Sequence, residues 1–388
     1  MILAVAVAIL VIGSCLALVF DRLWVDAARV ELQAAAESAA LAGAAELATD
    51  HLLQQSDSDR SDLVLAAAVH AGGINFVTGS PVELQTGEEG DVLVGTIEAD
   101  ADTGDTRFVP NASHPTTCQI RAARLNSRGN PVAQFFQELT GQWHADVIAY
   151  AEASVDNRII GVAPTAQGPV PALPMAILHT HLDPRRQDTW QRQIELKMGF
   201  DRYSYDAVNG EVYAGPDGIP EMLLRTASLG ADEDDSEKAN LLALDIGTGL
   251  REPAVVEQIR TGWTLDHLAS FGHEFRIDQG PQQLNIDSAL LGPIQESFDS
   301  LVGQTRICGL YTQHRASSDT LGQAAVATLV AIRILAVEDA GGQKMHLTVQ
   351  PAVIVTRTAI LDHQNAAWLP DRSLESTNPY IHKLFLSH

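Results

Sequence analysis

The first twenty residues, MILAVAVAILVIGSCLALVF from Met1 to Phe20, carry no charged side chain. As a helix rising ~1.5 Å per residue, the run spans about 30 Å, the hydrocarbon thickness of a bilayer. Three arrangements accommodate such a segment. A single anchoring helix leaves everything from Asp21 onward on one side of a membrane. A cleaved signal peptide normally has a basic n-region, a shorter apolar core and a small-x-small exit. Here no Lys or Arg precedes Arg22 and no such exit follows. A lipoprotein signal would use Ile12-Gly13-Ser14-Cys15 as its lipobox, but Leu16 to Phe20 stay apolar beyond the cysteine. The anchor fits these residues best, with residues 1–20 as the transmembrane segment. Flanking charge does not orient it, because Arg22 and Arg29 follow the span among Asp21, Asp26 and Glu31.

The helix is expected to continue out of the membrane. Eleven of the 23 residues from Asp26 to Ala48 are alanine, the best helix former, and no proline interrupts them. Leu32, Ala36, Ala40, Gly43 and Leu47 recur at the 3-and-4 spacing of one helical face. Small side chains let a neighbouring helix approach closely, so this face reads as an assembly seam for a partner. The other reading is an ordinary surface helix.

The segment ELQAAAESAALAGAAEL that follows the span resembles the TadE/TadG-like pilus-assembly proteins of the tight-adherence (Flp pilus) secretion system. In that family a run of the type LQ-x-A-A-D-A-A-A-L-A-G-A directly follows the transmembrane helix. Leu32, Gln33, Ala35, Ala36, Ala39, Ala40, Leu41, Ala42, Gly43 and Ala44 fall in register with it. The likeness extends to the large TadG-like proteins of planctomycete-type bacteria through Asp217 to Leu224 (DGIPEMLL), Leu242 to Gly249 (LALDIGTG) and Ser297 to Tyr311. The strand pair VATLVAIRILAVE and MHLTVQPAVIV is similar too. One departure is the lack of a basic stretch ahead of the span. The resemblance implies a structural component of pilus assembly and not an enzyme. It implies residence in the inner membrane with the region after Asp21 outside the cytoplasm, and pilin-like and secretion-platform partners. Self-association is a further implied partnership. In an oxidising compartment Cys118 and Cys308 can bond; the alternative is two buried free thiols.

Composition narrows the remainder. The 388 residues suffice for two or three domains. With 25 basic against 49 acidic residues the net charge is −24, which excludes a large basic surface and with it general nucleic-acid binding. Three cysteines, Cys15, Cys118 and Cys308, exclude a disulfide-dense scaffold and a four-cysteine zinc ribbon.

Beyond the first helix, Leu63 to Ala71 resumes helical patterning and Gly72-Gly73 ends it. Val82 to Leu84, Asp91 to Ala99, Arg107 to Val109, Gln119 to Leu125 and Ala145 to Val155 read as strands, with a short helix over Pro131 to Leu139. The proline-rich stretch 163–174 reads as a linker. After it, Ala176 to Leu178, Asn240 to Ile246, Thr305 to Tyr311, Ala324 to Val337 and Met345 to Thr356 read as strands. The last two flank a turn at Glu338 to Gln343. Short helices fit Asp188 to Lys197, Ala254 to Thr261 and Gly292 to Leu301. The tail after Leu369 reads as loosely held. The expected fold is α+β: a pilin-like module over 21–162 with antiparallel strands on the Ala-rich helix, then a mostly β domain over 175–388.

Catalytic signals are sparse. His179 and His181, at i and i+2, would share a strand face and could hold zinc, with Asp183 about 13 Å away along a straight strand. These three residues frame the competing reading, a membrane-anchored metal-dependent hydrolase; a lipoprotein adhesin using Cys15 is another. Asp245-Ile-Gly-Thr-Gly lacks the Asp-x-Ser-x-Ser hydroxyls of a von Willebrand A-type magnesium site. Asp100 to Asp105 has no glutamate at the twelfth position of a calcium loop, and Asp232 to Asp235 reads as a solvated acidic loop. No catalytic residue, metal ligand set or cofactor is assigned.

Overall fold

The computed structural model describes residues 2–54, 60–87, 90–99, 106–110, 114–228, 238–316, 320–362 and 377–387. The chain is α+β. Helix α1 runs unbroken from Ile2 to Glu46, about 68 Å at 1.5 Å per residue. A single 3-10 turn (Asp50–Leu52) leads to α2 (Ser61–Gly73). Then come β1 (Val92–Ala99), β2 (Thr106–Pro110), β3 (Thr117–Arg124), the short helix α3 (Gln137–Thr140), β4 (Val147–Asp156) and β5 (Ile159–Val162). The chain continues through β6 (Ala172–Leu178), β7 (Met222–Arg225), β8 (Leu241–Leu244), α4 (Glu252–Thr261), β9 (Gln282–Asp287) and α5 (Glu296–Asp299). It finishes with β10 (Thr305–Ala316), β11 (Leu321–Gly341), β12 (Lys344–Pro351), β13 (Ala359–Leu361) and β14 (Ile381–Leu386).

The first layer is a helix pair on an antiparallel sheet. β3 pairs with β1 and β4, and β1 with β2. Strand alternation decides which face is covered: Val147, Ala149, Ala151 and Ala153 of β4 turn inward, while Tyr150 between them is 61% exposed. The inward residues join Leu32, Ala36 and Ala40 of α1 and Val64 and Ala68 of α2 in one core.

The second part is a ring of strands. β6 pairs with β8, β8 with β9, β9 with β11 and β11 with β10; β10 then returns to β6 in a parallel pair. Ala176, Leu242, Leu284, Ile307 and Val326 face one core, to which all five strands contribute. The opposite side carries Met175, Ile177, Cys308 and Leu310, covered by α4, α5 and the β7–β12 flap. Closing so tight a ring requires a small residue on β10: a Cβ at Gly309 would stand 2.7 Å from Val326 Cγ1.

Several expectations are corrected. Residues 163–174 are not a linker. Val170 bridges to Trp263, and Ala172, Leu173 and Pro174 begin the buried strand β6. Pro174 is tolerated because the β6–β10 register shifts between Ala172 and Ala176, where no ladder donor is needed. The divide between 21–162 and 175–388 also gives way to interleaving: β5 pairs with β13 and with Phe275–Arg276, and Val353 lies in the first core. The tail is not loose over β14, which pairs antiparallel with β4 and completes the first sheet. Without it β4 would present an unpaired edge. Val82 to Leu84 is not a strand, and the helix expected over Pro131 to Leu139 shrinks to α3. The acidic segments Asp100 to Asp105 and Asp232 to Asp235 lie outside the described residues.

Candidate functional site

Helix α1 has two halves with opposite surroundings. From Ile2 to Phe20 its large apolar side chains are bare, with Ala17 buried among them: Ile2 is 88% exposed, Leu10 68% and Phe20 59%. This is one helix long and apolar enough to cross a membrane. Cys15 sits exposed within it.

From Val25 onward one face of the helix is covered by its own chain. Leu32, Ala36, Ala40, Gly43 and Leu47, expected as a face for partners, are all buried in the first core. A Cβ at Gly43 would meet Cys118 Sγ at 2.6 Å and Ala68 Cβ and Val64 Cγ1 at 3.3 Å. The small residues of the helix oppose small residues of the sheet, Ala122, Ala149, Ala151 and Ala153, so helix and sheet approach closely. The seam is therefore intramolecular. Helical periodicity marks an apolar face but does not name what covers it.

Cys118 and Cys308 form no bond in this structure. Cys118 packs beside Gly43 in the first core, whereas Cys308 lies on β10 in the core outside the ring. Burial pushes the Cys118 thiol up to about 12 and raises that of Cys308 as well.

The two parts meet at a polar junction that local patterning does not reveal. Arg333, 7% exposed at its side chain, pairs with Asp50 just after α1 and lies 3.6 Å over the Tyr205 ring. Asp50 Oδ1 accepts the Val353 N–H at 2.6 Å. The one available signal is that Arg333 is the sole charge in the apolar run from Ala324 to Val337.

The residues with catalytic potential are dispersed. His179 and His181 lie just past the end of β6, where the strand periodicity no longer holds. His179 Nε2 is 3.0 Å from Glu195 Oε1, and His181 Nδ1 accepts the Asp183 N–H at 3.0 Å. Asp183 in turn accepts the Arg185 N–H. Asp245 Oδ1 accepts the N–H groups of Gly247 and Gly249, which makes it the closing residue of a turn after β8. Near the junction, burial lifts the carboxyls of Asp217 and Glu221 above the usual range, with like charge from Asp201 adding to it. Their oxygens serve the backbone: Glu221 Oε1 accepts the Arg202 and Tyr203 N–H groups, and Asp217 Oδ1 that of Ile219. A cleft of about 600 Å³ is lined by Arg185, Arg186, Arg225, Lys238, Lys344 and His346. Among the described residues, no group of three His, Cys, Asp or Glu side chains is arranged to hold a metal ion.

No family model, curated protein or solved structure matches the chain.

Proposed function

We propose that the protein is a membrane-anchored structural component of a pilus-assembly apparatus, TadG-like in kind, held in the inner membrane with its sheet-bearing region outside the cytoplasm. One observation carries the reading. A single continuous helix offers a bare apolar half and then a half buried under an antiparallel sheet. That layout resembles a pilin, in which the bare half is free to pack among other spans. The ELQAAAESAALAGAAEL segment occupies the position the family resemblance requires, directly after the span.

Because the face through Leu32, Ala36, Ala40, Gly43 and Leu47 is filled by the chain itself, partner contacts fall to the bare half. Photo-cross-linkers at Leu10 and Leu16, both more than half exposed, should capture pilin-like or secretion-platform proteins in the native envelope. Loss of the protein should abolish surface pili while pilin is still made. Unchanged piliation together with no pilin-like adduct would overturn the proposal. Stoichiometric zinc in the purified protein would favour a hydrolase built on His179, His181 and Asp183 instead.

A further inference from the structure

The segment between β3 and β4 is a small hairpin with an unusual surface. Val132–Ala133 pairs with His144–Ala145, and α3 sits between them, closed by Gly141 in the left-handed conformation. The hairpin is fastened to α1 where the bare half ends. Trp24 Nε1 donates to the Ala133 carbonyl at 3.1 Å, and the Trp24 and Phe135 rings are 4.9 Å apart. Asp21, only 3% exposed, accepts the N–H groups of Phe135 at 2.9 Å and Phe136 at 3.2 Å through Oδ1. One turn before Trp24, the Phe20 and Phe136 rings are 6.2 Å apart. The contacts thus descend the helix toward the span. Ala17, lower still, is 2% exposed although Leu16 and Leu18 beside it are each 55% exposed, and α3 packs against α1.

The outer surface of this hairpin is apolar and uncovered. Phe135 is 64% exposed, Leu139 58% and Trp143 55%. Phe20, 59% exposed, meets the hairpin through the Phe136 ring, so the patch is continuous with the bare helix. Between Val132 and Trp143 the only charged residue is Glu138, in a chain of net charge −24. The level matters as much as the composition. Residues 2–20 account for about 28 Å of helix, so Phe20 and the hairpin beside it stand at the boundary between hydrocarbon and headgroups. Aromatic side chains favour that layer.

We infer that residues 132–145 form a membrane foot: the hairpin lies in the interfacial layer of the bilayer that α1 crosses, with Phe135, Leu139 and Trp143 among the lipid. The inference rests on the membrane anchoring in the proposed function and adds to it a second point of attachment. A lone helix leaves the module free to swivel; a clamped foot fixes its depth and its rotation about the helix axis. Asp21 fastens the clamp through one oxygen: Oδ1 accepts two backbone N–H groups of the hairpin, while Oδ2 is buried without a hydrogen-bond partner.

The test uses full-length protein in phosphatidylcholine vesicles, carrying Leu139→Cys in a Cys15→Ser background and labelled with a nitroxide. Cys118 and Cys308 are fully buried and do not label. Collision with oxygen, which partitions into lipid, is compared with collision with a water-soluble nickel chelate. The Leu139 label should be reached by oxygen and lose its collisions with the chelate. So should a label on Cys15 in the otherwise native chain. A label at Val208→Cys, 93% exposed in the native chain, should meet the chelate freely. If the Leu139 label meets the chelate like the Val208 label while the Cys15 label stays in lipid, the anchor stands and the foot is refuted. If the Cys15 label is in water too, the anchoring falls and the foot with it. Spin–spin broadening at Leu139 that vanishes on dilution with unlabelled protein would mean that a second copy covers the patch, which also refutes the lipid assignment.

Discussion

Replacing Gly43 by alanine sets two effects of similar size against each other. Alanine in a helix interior gains about 0.8–1 kcal/mol over glycine. Against this, the new methyl would lie 2.6 Å from Cys118 Sγ and 3.3 Å from both Ala68 and Val64. Cys118 has one rotatable side-chain bond and no exposure into which to turn. Overpacking of a filled core costs about 1–3 kcal/mol, so the clash wins and Gly43→Ala should destabilise the first core by about 1 kcal/mol. Cys118→Ala alone removes a buried atom and should cost about 1–2 kcal/mol through lost transfer energy and the space left behind. The two together should be close to neutral, since the added methyl takes the room that the sulfur vacates. That is a favourable coupling of about 2 kcal/mol, well outside the additivity expected of distant sites. Hydrogen exchange of β3 and β4 amides, measured on full-length protein in detergent micelles, reads the local stability of this core directly. If Gly43→Ala stabilises by the full propensity gain and shows no coupling to Cys118→Ala, the close helix–sheet approach is wrong.

Other perturbations follow from the same structure. In native protein a thiol reagent should modify Cys15 alone, and after unfolding without reductant all three cysteines; Cys15 alone reacting in the unfolded chain would mean that the Cys118–Cys308 bond forms. Deleting residues 377–388 should open the edge of β4 and convert a discrete species on size exclusion into higher oligomers, whereas an unchanged elution profile would mean that β14 is dispensable. Burial holds His382 below its ordinary value of 6.5, against the weaker upward pull of the Pro379 carbonyl and Asp156. The unfolded chain therefore takes up its proton first as pH falls, and the stability present above 6.5 is lost progressively below it. His382→Gln should flatten that part of the stability–pH curve, although His346, also lowered by burial, titrates in the same direction and remains; identical slopes for the two proteins would refute the assignment.

What could be read from the sequence was what is written locally. The span is contiguous, and the hairpin around Gly341-Gly342 declares itself by alternation on both sides of a turn. The partner of the α1 face was out of reach, because Ala36 and Gly43 look alike whether a neighbouring molecule or β3 covers them. Pro171 and Pro174 were misleading: their number suggests a linker, but their cost depends on register, which only the β6–β10 pairing supplies. Asp21 at the end of an apolar run reads as a solvated boundary residue, although Phe135-Phe136 followed by Leu139 and Trp143 was a visible sign that something apolar needed a place. β14 had no local signal at all, since what makes it a strand is β4.

That distance has a consequence for how the protein is made. Ser154 and Ser387 share a hydrogen bond across 233 residues. At typical synthesis rates the ribosome needs roughly 12–47 s to travel between them. The sheet on α1 therefore waits, its edge open, while the ring is being built, and becomes whole only once the segment around residue 386 has arrived. Completion of the sheet on α1 thus reports that the ring has been delivered. A chain interrupted anywhere in between stays marked by an unpaired strand at the edge of β4, where a protease that recognises extended backbone can find it.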